Sequence, residues 1–208
     1  MMAAMKTDDR GAHGIFEASF RKAADLLKNG DHALICAATG ARLDGDRVFV
    51  PFFTDEISIG LRDAGFDPPS LSSYEQILVL HYLTTLGGSE TKGDYVSFKN
   101  LPGASFYEST YRRRGPERIL ALFGDRPDFL IEAAGRLGGE RAGYGDVSAR
   151  IRVFPRVEAV VVLYKGDEEF PPEANILYKD DIVNFLPLED VAVLSGLVAG
   201  RLKRALHG

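Results

Sequence analysis

The chain has 208 residues, 45% of them hydrophobic and 26% charged, with a formal net charge of −5. Such a composition is globular, and a chain of this length buries enough surface to fold without disulfide or metal staples, so a disordered chain and a disulfide mini-protein are excluded. No apolar run reaches the roughly 18–20 residues of a membrane span, and the acidic balance argues against nonspecific nucleic-acid binding, which rests on Lys and Arg neutralising phosphates.

The first residues, MMAAMKTDDRGAHG, lack an apolar h-region and carry Asp8 and Asp9, so they read as a mobile tail over 1–14 rather than a secretory signal. Ile15, Phe16, Phe20, Ala23, Ala24 and Leu27 then recur at three- and four-residue steps. They predict a helix over about 15–28, closed by Gly30. Cys36 is the only cysteine. One cysteine makes no internal disulfide, Cys-rich zinc site or iron–sulfur cluster, and the reading is a cytoplasmic protein with a buried, inert thiol.

Residues 47–53 and 55–61 predict a β-hairpin, with Pro51 marking an edge or a strand end because it lacks a donor. A loop over 63–73 follows. Ser72 or Ser73 caps the next helix, with Gln76 three residues after Ser73 as in a capping box. That helix, 74–86, is apolar on most faces and so reads as central and buried, with His81 as a hydrogen-bonded core histidine. Residues 94–99 predict a short strand. Residues 105–123 predict a helix bent at Gly115-Pro116, and a further helix runs from Asp125 and Pro127 to Leu137.

The Gly-rich stretch 135–145 reads as a surface loop. Residues 146–154 alternate and 157–164 are more continuously apolar, so they predict a hairpin turning at Pro155-Arg156, its second strand buried on both faces. Residues 174–178 predict a third strand and 191–206 a final amphipathic helix. Helices and antiparallel strands come in blocks, which indicates α+β: one domain over 15–208 with a mainly antiparallel sheet flanked by helices.

No Walker A loop, nucleophile elbow, H-E-x-x-H or EF-hand loop is present. Two polar clusters remain. In Gly166-Asp-Glu-Glu-Phe-Pro-Pro-Glu-Ala-Asn, three acids follow an apolar strand and two prolines stiffen the chain. Adjacent extended residues point opposite ways, so Asp167 and Glu169 could cooperate as acid/base or cation-holding carboxylates. The structural alternative is a solvated turn. In Ser105-Phe-Tyr-Glu-Ser-Thr-Tyr-Arg-Arg-Arg, helical spacing aligns Tyr107 with Tyr111 and Glu108 with Arg112. This is an aromatic and arginine surface suited to an anion, or else a solvated amphipathic helix. Arg150, Arg152 and Arg156 would extend its basic face if the hairpin lay beside it.

Four segments together carry a family resemblance: Ile77-Leu-Val-Leu-His-Tyr-Leu, Phe98-Lys-Asn-Leu-Pro-Gly-Ala-Ser-Phe-Tyr, Gly166-Asp-Glu-Glu-Phe-Pro-Pro with Ala174-Asn-Ile-Leu, and Leu186-Pro-Leu-Glu-Asp. They resemble the bacterial and archaeal domain of unknown function 3786, over roughly 15–206. The resemblance implies a setting in anaerobic redox or corrinoid-linked one-carbon metabolism, because the family looks common in anaerobes and some members carry an attached iron–sulfur domain. This chain lacks the cysteines for a cluster of its own, and no cofactor is assigned.

The leading expectation is a cytoplasmic accessory or ligand-binding protein whose partner is a small-molecule anion or a protein. Arg112 and Arg113 would hold the anion, Tyr107 and Phe170 would supply apolar walls, and Asp167 and Glu169 would orient a polar group. Glu108, Tyr111 and Asn175 complete the candidate set. Two alternatives stand beside it. One is an enzyme using Glu108, Asp167 or Glu169 as acid or base, with or without a divalent metal. The other is a homo-oligomeric interaction module pairing an exposed strand edge.

Overall fold

A computed structural model describes residues 8–88 and 92–207, with side chains from Phe16 onward. Seven α-helices and nine β-strands lie among the described residues. Helix α1, Asp8–Asn29, begins earlier than the apolar period suggests. It is therefore helical through the second half of the expected tail, while residues 1–7 lie outside the described residues. Helix α2, His32–Thr39, has no counterpart among the sequence expectations. Its signal is the cap: Asp31 accepts from Ala33 N and Leu34 N at 3.0 and 3.1 Å.

The first sheet is an antiparallel meander of β1 (Arg42–Asp44), β2 (Arg47–Phe52), β3 (Asp55–Gly60) and β4 (Phe66–Asp67). The expected hairpin is β2–β3, and its cross-strand pairs Val48↔Ile59 and Val50↔Ile57 are fully buried. Strand β1 reaches only to Phe49, so the missing donor of Pro51 costs no ladder bond on that side.

Helix α3, Ser73–Thr84, is central as expected: Leu78, Val79, Leu80, Tyr82 and Leu83 are all at 0% exposure. Its cap is Ser72, and the capping box closes through Glu75, not Gln76. Gln76 donates instead to Leu71 O. Strand β5 (Tyr95–Ser97) leads through two 3₁₀ turns to α4 (Glu108–Arg114), α5 (Pro116–Phe123) and α6 (Asp128–Arg136). The helical run does break at Gly115-Pro116. Strands β6 (Glu140–Arg141), β7 (Val147–Phe154), β8 (Val157–Tyr164) and β9 (Glu173–Lys179) precede α7 (Leu188–His207).

The second sheet has the order β5-β9-β8-β7-β6, antiparallel throughout. One face of β8 enters the main core through Ala159, Val161 and Leu163. Val160 and Val162 on the other face form a small second cluster with Leu177, covered by Tyr95 and Ala142. Burial on both faces explains the continuous apolar run.

The two sheets meet at a register shift between Arg152 and Phe154. The bulge leaves both Val153 and Phe154 buried. Phe154 then stacks on Tyr82 at 4.1 Å and on Phe52 at 4.9 Å between ring centroids, and Phe53 N donates to Val153 O. The fold is α+β, with one contiguous buried cluster running from Ala23 to Leu202. Among the described residues no helix is long and apolar enough to cross a membrane.

Candidate functional site

Tyr111 anchors α4 to β9. Its buried hydroxyl lies 2.8 Å from both Asn175 Oδ1 and Ile176 O and accepts from Ile176 N at 3.0 Å. Its ring stacks on Phe98 at 4.3 Å. Burial pushes the Tyr111 phenol well above its ordinary range. Asn175 donates onward to Ser97 Oγ at 2.9 Å. These two candidates thus form a hydrogen-bonded pin between helix and sheet. Tyr107 is half-buried against the core, and Glu108 is half-buried in the first turn of α4.

The pin sets the neighbouring residue. Arg112 projects into a depression of about 370 Å³ also lined by Pro116, Glu117, Leu120, Phe170, Pro171, Pro172, Glu173 and Ala174. The 105–114 and 166–175 segments are therefore adjacent in space. Phe170 is 65% exposed. The side chains of Arg112 and Arg113 make no hydrogen bond or ion pair among the described residues. Arg113 is exposed but is not among the lining residues.

Phe170, Pro171 and Pro172 form a ridge. Beyond it lies a wide, open depression of about 730 Å³ whose lining includes Asp125, Asp128, Lys165, Asp167, Glu168 and Glu169. Asp167 and Glu169 thus lie across the ridge from Arg112. Asp167 Oδ1 accepts from Glu169 N at 2.9 Å and from Phe170 N at 2.8 Å. Those two bonds hold its carboxyl below the usual carboxylate range, although it is fully exposed. The carboxylate folds its own loop and presents Phe170.

Arg150 and Arg152 of the β7–β8 hairpin are neutralised by acids and do not extend a free basic face. Arg150 pairs with Glu140, and Arg152 with Glu158 at 3.2 Å. Tyr95 donates to Glu158 at 2.7 Å. Burial and the Glu158 carboxylate push the Tyr95 phenol up to about 12. Arg156 binds through its backbone N–H to the Tyr82 hydroxyl.

Cys36 is half-buried and not buried as expected, although burial still pushes its thiol up, which disfavours the thiolate. His81 is hydrogen-bonded as expected, but to side chains from two other helices: Asp190 Oδ2 at 2.5 Å and Ser19 Oγ at 3.2 Å. Sequence reasoning missed this junction: His81 and Asp190 stand in two of the segments that carry the family resemblance, but they are 109 positions apart, and Ser19 stands in none of them. Among the described residues no group of three or more His, Cys, Asp or Glu side chains is arranged to hold a metal ion.

A family model described as Domain of unknown function (DUF3786) matches residues 31–201. No curated protein and no solved structure matches the chain.

Proposed function

The chain belongs to the family described as Domain of unknown function (DUF3786), and we propose that it binds a small molecule carrying a carboxylate or phosphate beside an apolar group. The observation that carries this reading is the meeting of Arg112 and Phe170 in one depression of about 370 Å³. That volume lies within the ordinary range of small-ligand sites. An unpaired guanidinium offers a bidentate fork to a carboxylate or phosphate. Phe170, Pro171 and Leu120 offer apolar surface whose burial would favour binding. Glu117 and Glu173 disfavour a polyanion and suit a ligand that also carries an amine or hydroxyl donor. The setting we propose is a cytoplasmic accessory role in the anaerobic redox or one-carbon metabolism implied by the family resemblance.

Native mass spectrometry of the protein, after anaerobic incubation with small-molecule extract of its host, tests the proposal. A reproducible mass adduct is expected. Arg112→Ala removes a charge-assisted contact worth about 1.5–3 kcal/mol, so affinity falls roughly tenfold to a hundredfold. Phe170→Ala, on an exposed loop, weakens the adduct without lowering the unfolding midpoint. A wild-type spectrum free of adduct overturns the proposal.

A further inference from the structure

We propose that Ser19, His81 and Asp190 form a base-activated nucleophile for acyl transfer, with small carboxylic esters as the substrate class. The three side chains come from α1, α3 and the first turn of α7. They are linked in the order that nucleophilic catalysis needs. Asp190 Oδ2 lies 2.5 Å from His81 Nδ1, and Ser19 Oγ lies 3.2 Å from His81 Nε2. With the Asp190 carboxylate accepting from Nδ1–H, Nε2 presents its lone pair to the Ser19 hydroxyl. The first turn of a helix favours a carboxylate, which keeps Asp190 suited to that task.

Burial divides the roles. Asp190 is the most enclosed, with a side chain 10% exposed, whereas that of His81 is 21% exposed. Ser19 is half-buried, as is His81. The acid is thus the buried member of the three. Phe16, one helical turn before Ser19 and half-buried, supplies apolar surface beside the hydroxyl for a short acyl group. Ser19 lies outside the residues matched by the family model, whereas His81 and Asp190 lie inside them.

The chemistry balances without a further cofactor. Ser19 Oγ bonds to the ester carbonyl carbon as its proton passes to His81 Nε2. The bond from that carbon to the alkoxy oxygen then breaks, and the leaving oxygen takes the proton from His81. Water attacks the acyl-serine, and its proton returns through His81 to Ser19 Oγ as the carboxylic acid leaves. Asp190 touches neither the ester nor the leaving group and acts as a positioning residue.

A fluorophosphonate probe, which loses fluoride to an activated serine, tests the site directly. One label per chain is expected, mapped by peptide mass spectrometry to Ser19. The label is lost in Ser19→Ala, and it is slowed roughly a hundredfold or more in His81→Ala and Asp190→Asn. Asp190→Glu, which keeps the carboxylate, restores part of the rate, as a purely structural role would not require. Folded wild-type protein that takes up no probe overturns the proposal whatever the variants do, as does labelling that persists in Ser19→Ala. The binding proposal for the Arg112 depression uses other residues and another readout, so either can fail alone.

Discussion

The Tyr111 hydroxyl serves three groups of β9 from a helix. Tyr111→Phe keeps the ring stacked on Phe98 but removes the hydroxyl. Ile176 N still has Asn175 Oδ1 at 2.9 Å as a partner, so the expected cost is about 1–2 kcal/mol, read as a lower urea midpoint with unchanged slope. Helical spacing aligned Tyr107 with Tyr111 on one face; the helix starts only at Glu108, and Tyr107 is its N-cap, its carbonyl accepting from Tyr111 N at 2.9 Å. The spacing carries no sign of which neighbour covers that face. For Asp167 and Phe170 the reverse holds: the prolines and acids of the loop already mark an exposed, stiff turn, and the turn is there.

At the scale of elements, Glu75 links two helices. It closes the α3 capping box with Ser72 and receives Arg201 of α7 at 3.1 Å. Burial raises its pKa, but the Ser72 hydrogen bonds and Arg201 together outweigh burial, so the folded value lies below the ordinary 4.5. A folded pKa below the unfolded one stabilises above the unfolded value and is lost as pH falls through the folded value. The unfolding midpoint is therefore expected to drop as pH falls below about 4.5. Glu75→Gln flattens that part of the profile and costs about 1 kcal/mol at neutral pH, measured by urea titration across the pH series. Gly115 sets the other joint. A Cβ there would lie 2.6 Å from Ser195 Cβ, so the bend between α4 and α5 needs a residue without a side chain. Pro116 signals the bend in the sequence, whereas the close approach to α7 depends on the fold.

Across the whole molecule, the stack of Phe52, Phe154 and Tyr82 ties both sheets to the central helix. Tyr82 adds a hydrogen bond from its hydroxyl to Thr39 O at 2.6 Å, which brings in α2. Phe154→Ala removes the middle ring from a fully buried site and is expected to cost about 3–5 kcal/mol. Equilibrium unfolding followed by near-UV and far-UV circular dichroism checks both the loss and whether the sheets still unfold together. The same compact arrangement brings His81 and Asp190, 109 positions apart in the chain, within hydrogen-bond distance.

Local chemistry determined much of this protein. Apolar alternation sets β3 and β7, runs of strand-forming residues set β2 and β8, three- and four-residue periods set α1 and α7, a nearly all-apolar run behind a serine cap sets α3, and glycine and proline mark the ends of most elements. Each of these follows from the geometry of a few consecutive residues. The short elements α2, β1, β4 and β6 hold eight residues or fewer, too few to show a period. Tertiary packing alone decided which polar residues met. It buried Tyr111 and set Arg112 beside Phe170. It also joined Ser19, His81 and Asp190. Contacts between distant segments depend on how helices and sheets stack, and a one-dimensional pattern of polar and apolar residues fixes which face is buried without fixing its neighbour.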